Sequence, residues 1–236
     1  MTLRTLPIFA AALAASCSHG DVPAPADNPE TLDSSLVVGS EVQVPSDDRP
    51  VVVFLGTSLT AGMGLERGED TYVAKLEVLG RAEGLPFRAV NAGVSGETSA
   101  GGLRRVDWIL REPVDVLVVE LGANDGLRGQ DPEAMRENLT AVIRRTRARY
   151  PEAHILLAGM EAPPNMGAAY TASFRAVFAQ VASSEDVTLI PFLLEGVAGV
   201  PELNQGDRIH PSPEGHQRVA ENVWPWLRTI LSETAS

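Results

Sequence analysis

The chain has 236 residues, of which 44% are hydrophobic and 21% are charged, and its formal net charge at pH 7 is -12. This length suits one globular domain of ordinary size after processing of the amino terminus. The excess of negative charge argues against nucleic acid as a partner and against electrostatic attraction to anionic membranes.

The first 17 residues have the composition of an export signal. Arg4 supplies a positive charge, and residues 6–15 form an apolar run that is too short to span a bilayer. Small residues then lead to Cys17, the single cysteine of the chain. This arrangement resembles a bacterial lipoprotein signal, in which the cysteine becomes the lipidated first residue of the mature protein. We therefore predict lipidation at Cys17 and a place in the bacterial cell envelope. An ordinary cleaved signal, giving a periplasmic or secreted protein, is the alternative.

Residues 18–50 are acidic, rich in proline and poor in aromatic side chains. This composition predicts a flexible tether. Two valine-rich stretches, residues 37–38 and 42–44, are candidates for a short edge strand. One folded domain is expected to occupy residues 51–236.

The domain begins with the apolar residues Val51–Leu55, a pattern typical of a strand buried on both faces. The run stops at Gly56, so Ser58 is expected at the carboxyl end of the strand, where open α/β sheets bind ligands. The spacing excludes a Walker A loop, a dinucleotide fingerprint and the nucleophile elbow of α/β-hydrolases. Taken alone, the stretch favours a plain polar turn.

Strands and helices alternate along the rest of the chain. Further strands are predicted at residues 87–91, 115–121, 154–159 and 187–190. Helices are predicted at residues 70–84, 98–111, 132–150, 167–183 and 213–231. Apolar strands that alternate with amphipathic helices predict a three-layer α/β/α domain, with a five-stranded parallel sheet covered on both faces.

Three turns after predicted strands carry glycine beside a small polar group: Gly56-Thr-Ser58, Gly93 and Gly122-Ala-Asn124. Because the carboxyl ends of parallel strands share one edge, these turns can converge in space. Near the end of the chain, Asp207 precedes His210 by three residues. This offset lets the carboxylate contact its own histidine, which would hold one ring nitrogen as donor and leave the other as base.

Together these blocks resemble the GDSL, or SGNH, hydrolase superfamily, and within it the arylesterases, acyl thioesterases and lysophospholipases. The similarity runs from about Val51 to Leu231. The blocks that carry it are Gly56-Thr-Ser-Leu-Thr-Ala-Gly62, Asn91-Ala-Gly-Val-Ser-Gly96, Leu121-Gly-Ala-Asn-Asp125 and Asp207-x-x-His210-Pro211. The resemblance implies a flavodoxin-like sheet and hydrolysis of esters or thioesters through an acyl-enzyme.

The resemblance also implies a role for each polar residue of these blocks. Ser58 would be the nucleophile, His210 the general base, and Asp207 the group that orients and charge-balances the histidine. The oxyanion hole would consist of the backbone N–H of Ser58, the backbone N–H of Gly93 and the side-chain amide of Asn124.

One residue departs from the family pattern. Thr57 stands where the family block has aspartate. We expect its hydroxyl to support the turn by a hydrogen bond to a neighbouring backbone group.

Other polar residues are better explained by structural roles. Structural or surface positions are expected for Ser95, Asp125, His154 and His216. Asp207 and His210 could form half of a metal site, but no cysteine or second close histidine completes one. We therefore expect no metal and no cofactor.

The predicted function is a serine esterase or thioesterase that acts on small aryl or acyl esters, including lysolipids. Residues 160–170 are expected to form one wall of the acyl pocket. Two alternatives remain: a carbohydrate O-acetyl esterase, and a non-catalytic binding lipoprotein on the same fold. Thr57 is the only feature that favours the binding protein. The presence of the whole set of predicted catalytic residues argues against it, because a binding protein would not need them.

Overall fold

The computed structural model describes residues 47–234, and these contain a five-stranded parallel sheet in the order β2-β1-β3-β4-β5. The strands are β1 (Val51–Gly56), β2 (Arg88–Gly93), β3 (Val116–Glu120), β4 (His154–Ala158) and β5 (Thr188–Ile190). The predicted fold class is confirmed. Cys17, the predicted signal, most of the tether and the candidate edge strand lie outside the described residues.

Helices follow every strand in this part of the chain. They are α1 (Ser58–Ala61), α2 (Tyr72–Ala82), α3 (Ser99–Ile109), α4 (Ala123–Leu127), α5 (Pro132–Arg149), α6 (Ala168–Glu185) and α7 (Pro213–Thr234). Helix α2 packs with α7, whereas α5 packs with α3 and α6, so the helices form two layers. None of the described helices is long and apolar enough to cross a membrane.

The strand order reverses between β1 and β3. The chain steps from β1 to β2 on one side, then crosses back to β3 and continues outward through β4 and β5. In open α/β sheets such a reversal leaves a crevice beyond the carboxyl ends of the two central strands, and ligands bind there. The turn that carries Ser58 follows β1, and the turn that carries Asn124 follows β3. The topology therefore brings two of the predicted site residues to the same crevice.

Strands β1 and β3 are buried along their whole length, which explains their uninterrupted apolar sequences. The register pairs Gly56 with Gly93 of β2 and with Glu120 of β3. Strand β2 was predicted to end at residue 91, but pairing with β1 continues to Gly93. The sequence did not show this extension because residues 91–93 are small or polar and lack a strand pattern.

Residues just before the predicted start of the domain at residue 51 already form hydrogen bonds with it. The backbone N–H of Arg88 donates to the carbonyl of Pro50 at 2.8 Å, and the Arg49 guanidinium donates to the carbonyl of Phe87 at 3.4 Å. These bonds attach the last predicted tether residues to the edge strand β2.

Candidate active site

The nucleophile candidate lies where β1 passes directly into α1. Ser58 is the first residue of α1, and its relative exposure is 8%. A Cβ at Gly56 would lie 2.0 Å from Thr60 Oγ1 and 2.6 Å from Glu120 Oε2. Only glycine therefore allows the strand to turn this closely against the helix and β3.

The structure brings the three predicted triad residues together. Ser58 Oγ lies 2.9 Å from His210 Nε2, and His210 Nδ1 lies 2.6 Å from Asp207 Oδ2. The other carboxylate oxygen, Asp207 Oδ1, accepts the backbone N–H groups of Ile209 at 2.9 Å and of His210 at 3.0 Å. The short loop thus fixes the carboxylate at both oxygens.

These hydrogen bonds determine the protonation of the carboxylate. The hydrogen bond from the His210 side chain, and then those from the backbone of His210 and Ile209, lower the pKa of Asp207 to about 2. An ionised carboxylate only accepts hydrogen bonds, so His210 Nδ1 carries the proton. His210 Nε2 is then free to accept the proton of the Ser58 hydroxyl.

Asn124 is oriented by the loop that precedes α3. Its Nδ2 donates one hydrogen to the carbonyl of Glu97 at 2.9 Å. An amide nitrogen has two hydrogens, so the second remains available to the cavity that Asn124 lines together with Ser58. Gly122 makes this placement possible, since it adopts φ 107° immediately before α4.

The structure contradicts the prediction that the backbone N–H of Gly93 belongs to the oxyanion hole. Its N–H donates to Asn91 Oδ1 at 3.0 Å, and a Cβ at Gly93 would lie 2.2 Å from the backbone nitrogen of Ala61. Gly93 is therefore a packing residue between β2 and α1, and it does not line the cavity.

Gly96 is better placed than Gly93 to donate a hydrogen bond into the cavity. It lines the cavity with Ser58 and Asn124 and adopts φ 77°. Its N–H has no acceptor within residues 47–234. The sequence pointed to Gly93 because β2 was predicted to end at residue 91, whereas β2 extends to Gly93 and the turn begins only at the next residue.

Arg105 braces this turn, although the sequence gave no sign of such a role. From α3, its Nη2 donates to the carbonyls of Ala92 at 2.7 Å and Gly56 at 3.3 Å, at the ends of β2 and β1. Its Nε donates to Glu97 Oε2 at 2.7 Å. One side chain thus joins both strand ends to the segment beside Gly96.

A second residue missed by sequence reasoning, Glu120, lies behind the nucleophile turn and is fully buried. Its Oε2 accepts the N–H of Thr57 at 2.7 Å, the N–H of Thr60 at 3.3 Å and the Thr60 hydroxyl at 2.8 Å. Its Oε1 accepts the Thr57 hydroxyl at 2.9 Å. Burial raises the pKa of Glu120, and these hydrogen bonds oppose the rise.

The Thr57 hydroxyl therefore supports the turn through a carboxylate, and the prediction of a backbone partner is wrong. A sequence signal for Glu120 existed, because it is the one charged residue within the apolar run of β3.

Other candidates take structural positions. Asp125 is buried and accepts the Ser99 hydroxyl at 2.6 Å and the Ser99 N–H at 2.8 Å, so it ties α4 to α3. His216 stacks on Tyr72 and accepts its backbone N–H at 3.2 Å, and burial lowers the pKa of His216 to about 4. Ser95 lines the cavity, but the histidine base contacts Ser58 instead.

His154 begins β4 at a half-buried position. Within residues 47–234, no group of three His, Cys, Asp or Glu side chains is placed to hold a metal ion.

The cavity beside Ser58 and His210 has a volume of about 640 Å³. Residues 160–164 form one wall, in agreement with the predicted wall at residues 160–170, of which only this first part lines the cavity. Most of the other lining side chains are apolar and include Leu59, Met63, Leu127, Phe192, Leu194 and Ile209. This lining suits a hydrocarbon chain.

Comparison with known proteins gives consistent matches to one family of hydrolases. A sequence profile of the GDSL-like Lipase/Acylhydrolase family matches residues 54–218. Esterase TesA of Pseudomonas aeruginosa is 43% identical over 181 residues, which cover 76% of this chain and 89% of that relative. Thioesterase 1/protease 1/lysophospholipase L1 of Escherichia coli K12 is 34% identical over 190 residues, which cover 77% of this chain and 85% of that relative.

A crystal structure of TesA covers 76% of this chain and 99% of its own, with 41% identity and a TM-score of 0.73. The resemblance found in the sequence blocks is thus confirmed over almost the whole described domain. The chain belongs to the GDSL-like lipase/acylhydrolase family and is a carboxylic ester hydrolase.

Proposed function

We propose that this enzyme hydrolyses esters or thioesters of single acyl chains through an acyl-enzyme formed on Ser58. The observation that carries the proposal is the continuous hydrogen-bond chain from Ser58 through His210 to Asp207, placed beside an apolar cavity. A serine hydroxyl becomes an effective nucleophile only when such a base accepts its proton.

In the proposed first step, Ser58 Oγ attacks the carbonyl carbon while His210 Nε2 accepts the hydroxyl proton. The ionised Asp207 stabilises the resulting imidazolium and keeps the ring oriented. His210 then gives the proton to the leaving oxygen or sulfur as the carbonyl re-forms. In the second step, His210 accepts a proton from water, the water attacks the acyl-enzyme, and the acid leaves with Ser58 restored.

The developing oxyanion would be stabilised by the N–H groups of Ser58 and Gly96 and by the free amide hydrogen of Asn124. Neither backbone N–H has an acceptor among residues 47–234, and all three residues line the same cavity. Loss of one such donor typically lowers the rate on the order of 100- to 1000-fold.

The shape and chemistry of the cavity favour acyl and aryl esters over acetylated carbohydrate. A sugar presents many hydroxyl groups and needs polar partners, whereas this lining is mainly apolar. Lysolipids are included in the proposed substrates, since they combine one acyl chain with a polar alcohol part. The completeness of the triad contacts weighs against a binding protein that has lost turnover.

We also propose that the enzyme is anchored in the cell envelope. Residues 1–17 would be the signal, Cys17 the lipidated residue, residues 18–50 the tether and residues 51–236 the hydrolase domain. A Cys17→Ser variant should move from the membrane fraction to the soluble fraction of the native host. A native protein whose intact mass shows an unmodified amino terminus beyond Cys17 would refute the anchor.

Turnover of p-nitrophenyl esters with acyl chains of increasing length tests the catalytic proposal. Ser58→Ala should reduce kcat by more than about 1000-fold, because the nucleophile is lost. Ser95→Ala is the matched control, since it removes a hydroxyl that lines the same cavity, and it should keep most of its activity. Full activity of Ser58→Ala, or its loss in Ser95→Ala alone, would move the nucleophile to another residue.

A further inference from the structure

Arg208 has an unusual backbone conformation inside the triad loop. It lies between Asp207 and His210 and adopts φ 60°, in the left-handed region that favours glycine. Only one other non-glycine residue in the described part of the chain, Asp186, has positive φ. A long cationic side chain therefore occupies a position whose backbone conformation favours glycine.

Arg208 is exposed and lines the same cavity as Ser58 and His210. Its guanidinium makes no ion pair or hydrogen bond with any residue from 47 to 234. The other formally charged lining residue, Glu161, is paired with Arg175 at 2.8 Å. Arg208 thus brings to the cavity a positive charge that has no ion-pair partner among residues 47–234, in a protein whose net charge is -12.

The reaction geometry indicates which part of a substrate meets this charge. His210 must protonate the leaving oxygen, so the alcohol part of the ester departs on the side of the triad loop. Arg208 belongs to that loop, whereas the apolar wall at residues 160–164 is suited to the acyl chain. An anionic group on the alcohol part would therefore lie nearest to the guanidinium.

We propose that Arg208 is a specificity residue that binds a phosphate group on the alcohol part of a single-chain acyl ester. The inference rests on the proposed function of the same site. A guanidinium offers a planar set of donors that matches phosphate oxygens, and such charge-assisted bonds are stronger than neutral ones. The substrate class is an acyl monoester with one apolar chain and one phosphate.

The test compares 1-lauroylglycerol with 1-lauroylglycerol 3-phosphate, both below the concentrations at which they form micelles. The two substrates share the acyl chain and the ester bond and differ only in the phosphate. Arg208→Asn removes the charge with a residue that tolerates positive φ, and Arg208→Lys retains the charge without the fork of donors. Arg104→Gln, on the exposed face of α3, is the control for loss of one positive charge.

We expect the wild-type enzyme to prefer the phosphate ester. Arg208→Asn should lower kcat/KM for that ester by about 10-fold, mainly through KM, and should leave the neutral ester within about 2-fold. Arg208→Lys should lose less of the preference, Arg104→Gln should lose none, and added salt should reduce the preference.

Equal losses on both esters in Arg208→Asn would show that Arg208 only shapes the loop and would overturn the proposal. Equal turnover of the two esters by the wild type would overturn it as well, while leaving the proposed esterase function intact. Failure of the wild type to hydrolyse either ester, or any p-nitrophenyl ester, would refute the proposed function itself.

Discussion

Glu120 should contribute strongly to stability because four donors of the nucleophile turn converge on its carboxylate. Glu120→Ala removes every one of these acceptor sites in a fully buried position. The two hydroxyl donors can rotate toward other partners, but the N–H groups of Thr57 and Thr60 are fixed by the backbone. At about 1–3 kcal/mol for each buried donor left unpaired, the variant should lose about 2–6 kcal/mol of the free energy of unfolding.

Glu120→Gln should be far less damaging. Three of the four donors converge on Oε2, so the amide oxygen can take that place. The amide nitrogen would then face the Thr57 hydroxyl, which can turn and accept instead of donating. The expected loss is about 1 kcal/mol or less.

Urea unfolding followed by tryptophan fluorescence measures these differences. Glu112→Ala is the control, because it removes an exposed carboxylate. A Glu120→Ala protein as stable as this control would refute the claim that Glu120 holds the turn. A Glu120→Gln protein as unstable as Glu120→Ala would show that the negative charge, and not hydrogen-bond geometry, is required.

The pH dependence of stability gives a second readout for Glu120. Burial raises the pKa of Glu120 above its ordinary value of 4.5, so the folded state holds the proton more tightly than the unfolded state. The pH-dependent part of its contribution to stability is full below pH 4.5 and is lost as the pH rises through the raised pKa. Glu120→Gln should remove this slope, and an unchanged slope in the variant would assign it to another group.

Three further predictions concern Asn124, Thr57 and His216. Asn124→Ala should lower kcat on the order of 100- to 1000-fold with little change in KM, because its donor matters most in the transition state; a change in KM alone would make it a binding residue. A fluorophosphonate probe should label wild-type Ser58, and Thr57→Asp should change the labelling rate only modestly, since no proton transfer is assigned to Thr57. Labelling that appears only in Thr57→Asp would show that threonine at this position inactivates the nucleophile. Burial lowers the pKa of His216 to about 4 from 6.5, so its contribution to stability is full above pH 6.5 and is lost as the pH falls toward 4. The loss should reach about 3 kcal/mol, at 1.36 kcal/mol for each pH unit. His216→Asn, which keeps an acceptor for the Tyr72 N–H, should flatten this dependence in urea unfolding, and an unaltered profile would contradict the assignment.

The sequence by itself determined the fold class and, through its resemblance to a known family, indicated the three residues that we propose as the triad. Strands β1 and β3 are buried on both faces, so their sequences are continuously apolar and easy to recognise. Asp207 and His210 are close along the chain, so their contact needs only a local turn. The placement of Ser58 follows from the end of the first apolar run, because strand ends in a parallel sheet share one edge.

The tertiary structure alone decided which glycine faces the cavity and what holds the nucleophile turn. Only Gly93 was selected from the sequence, but the register with β1 makes Gly93 the last strand residue and leaves Gly96 in the turn beside the cavity. Arg105 and Glu120 come from other elements than the turns they hold. Contacts between residues that are distant along the chain depend on strand register and layer packing, and no local pattern of residues records them.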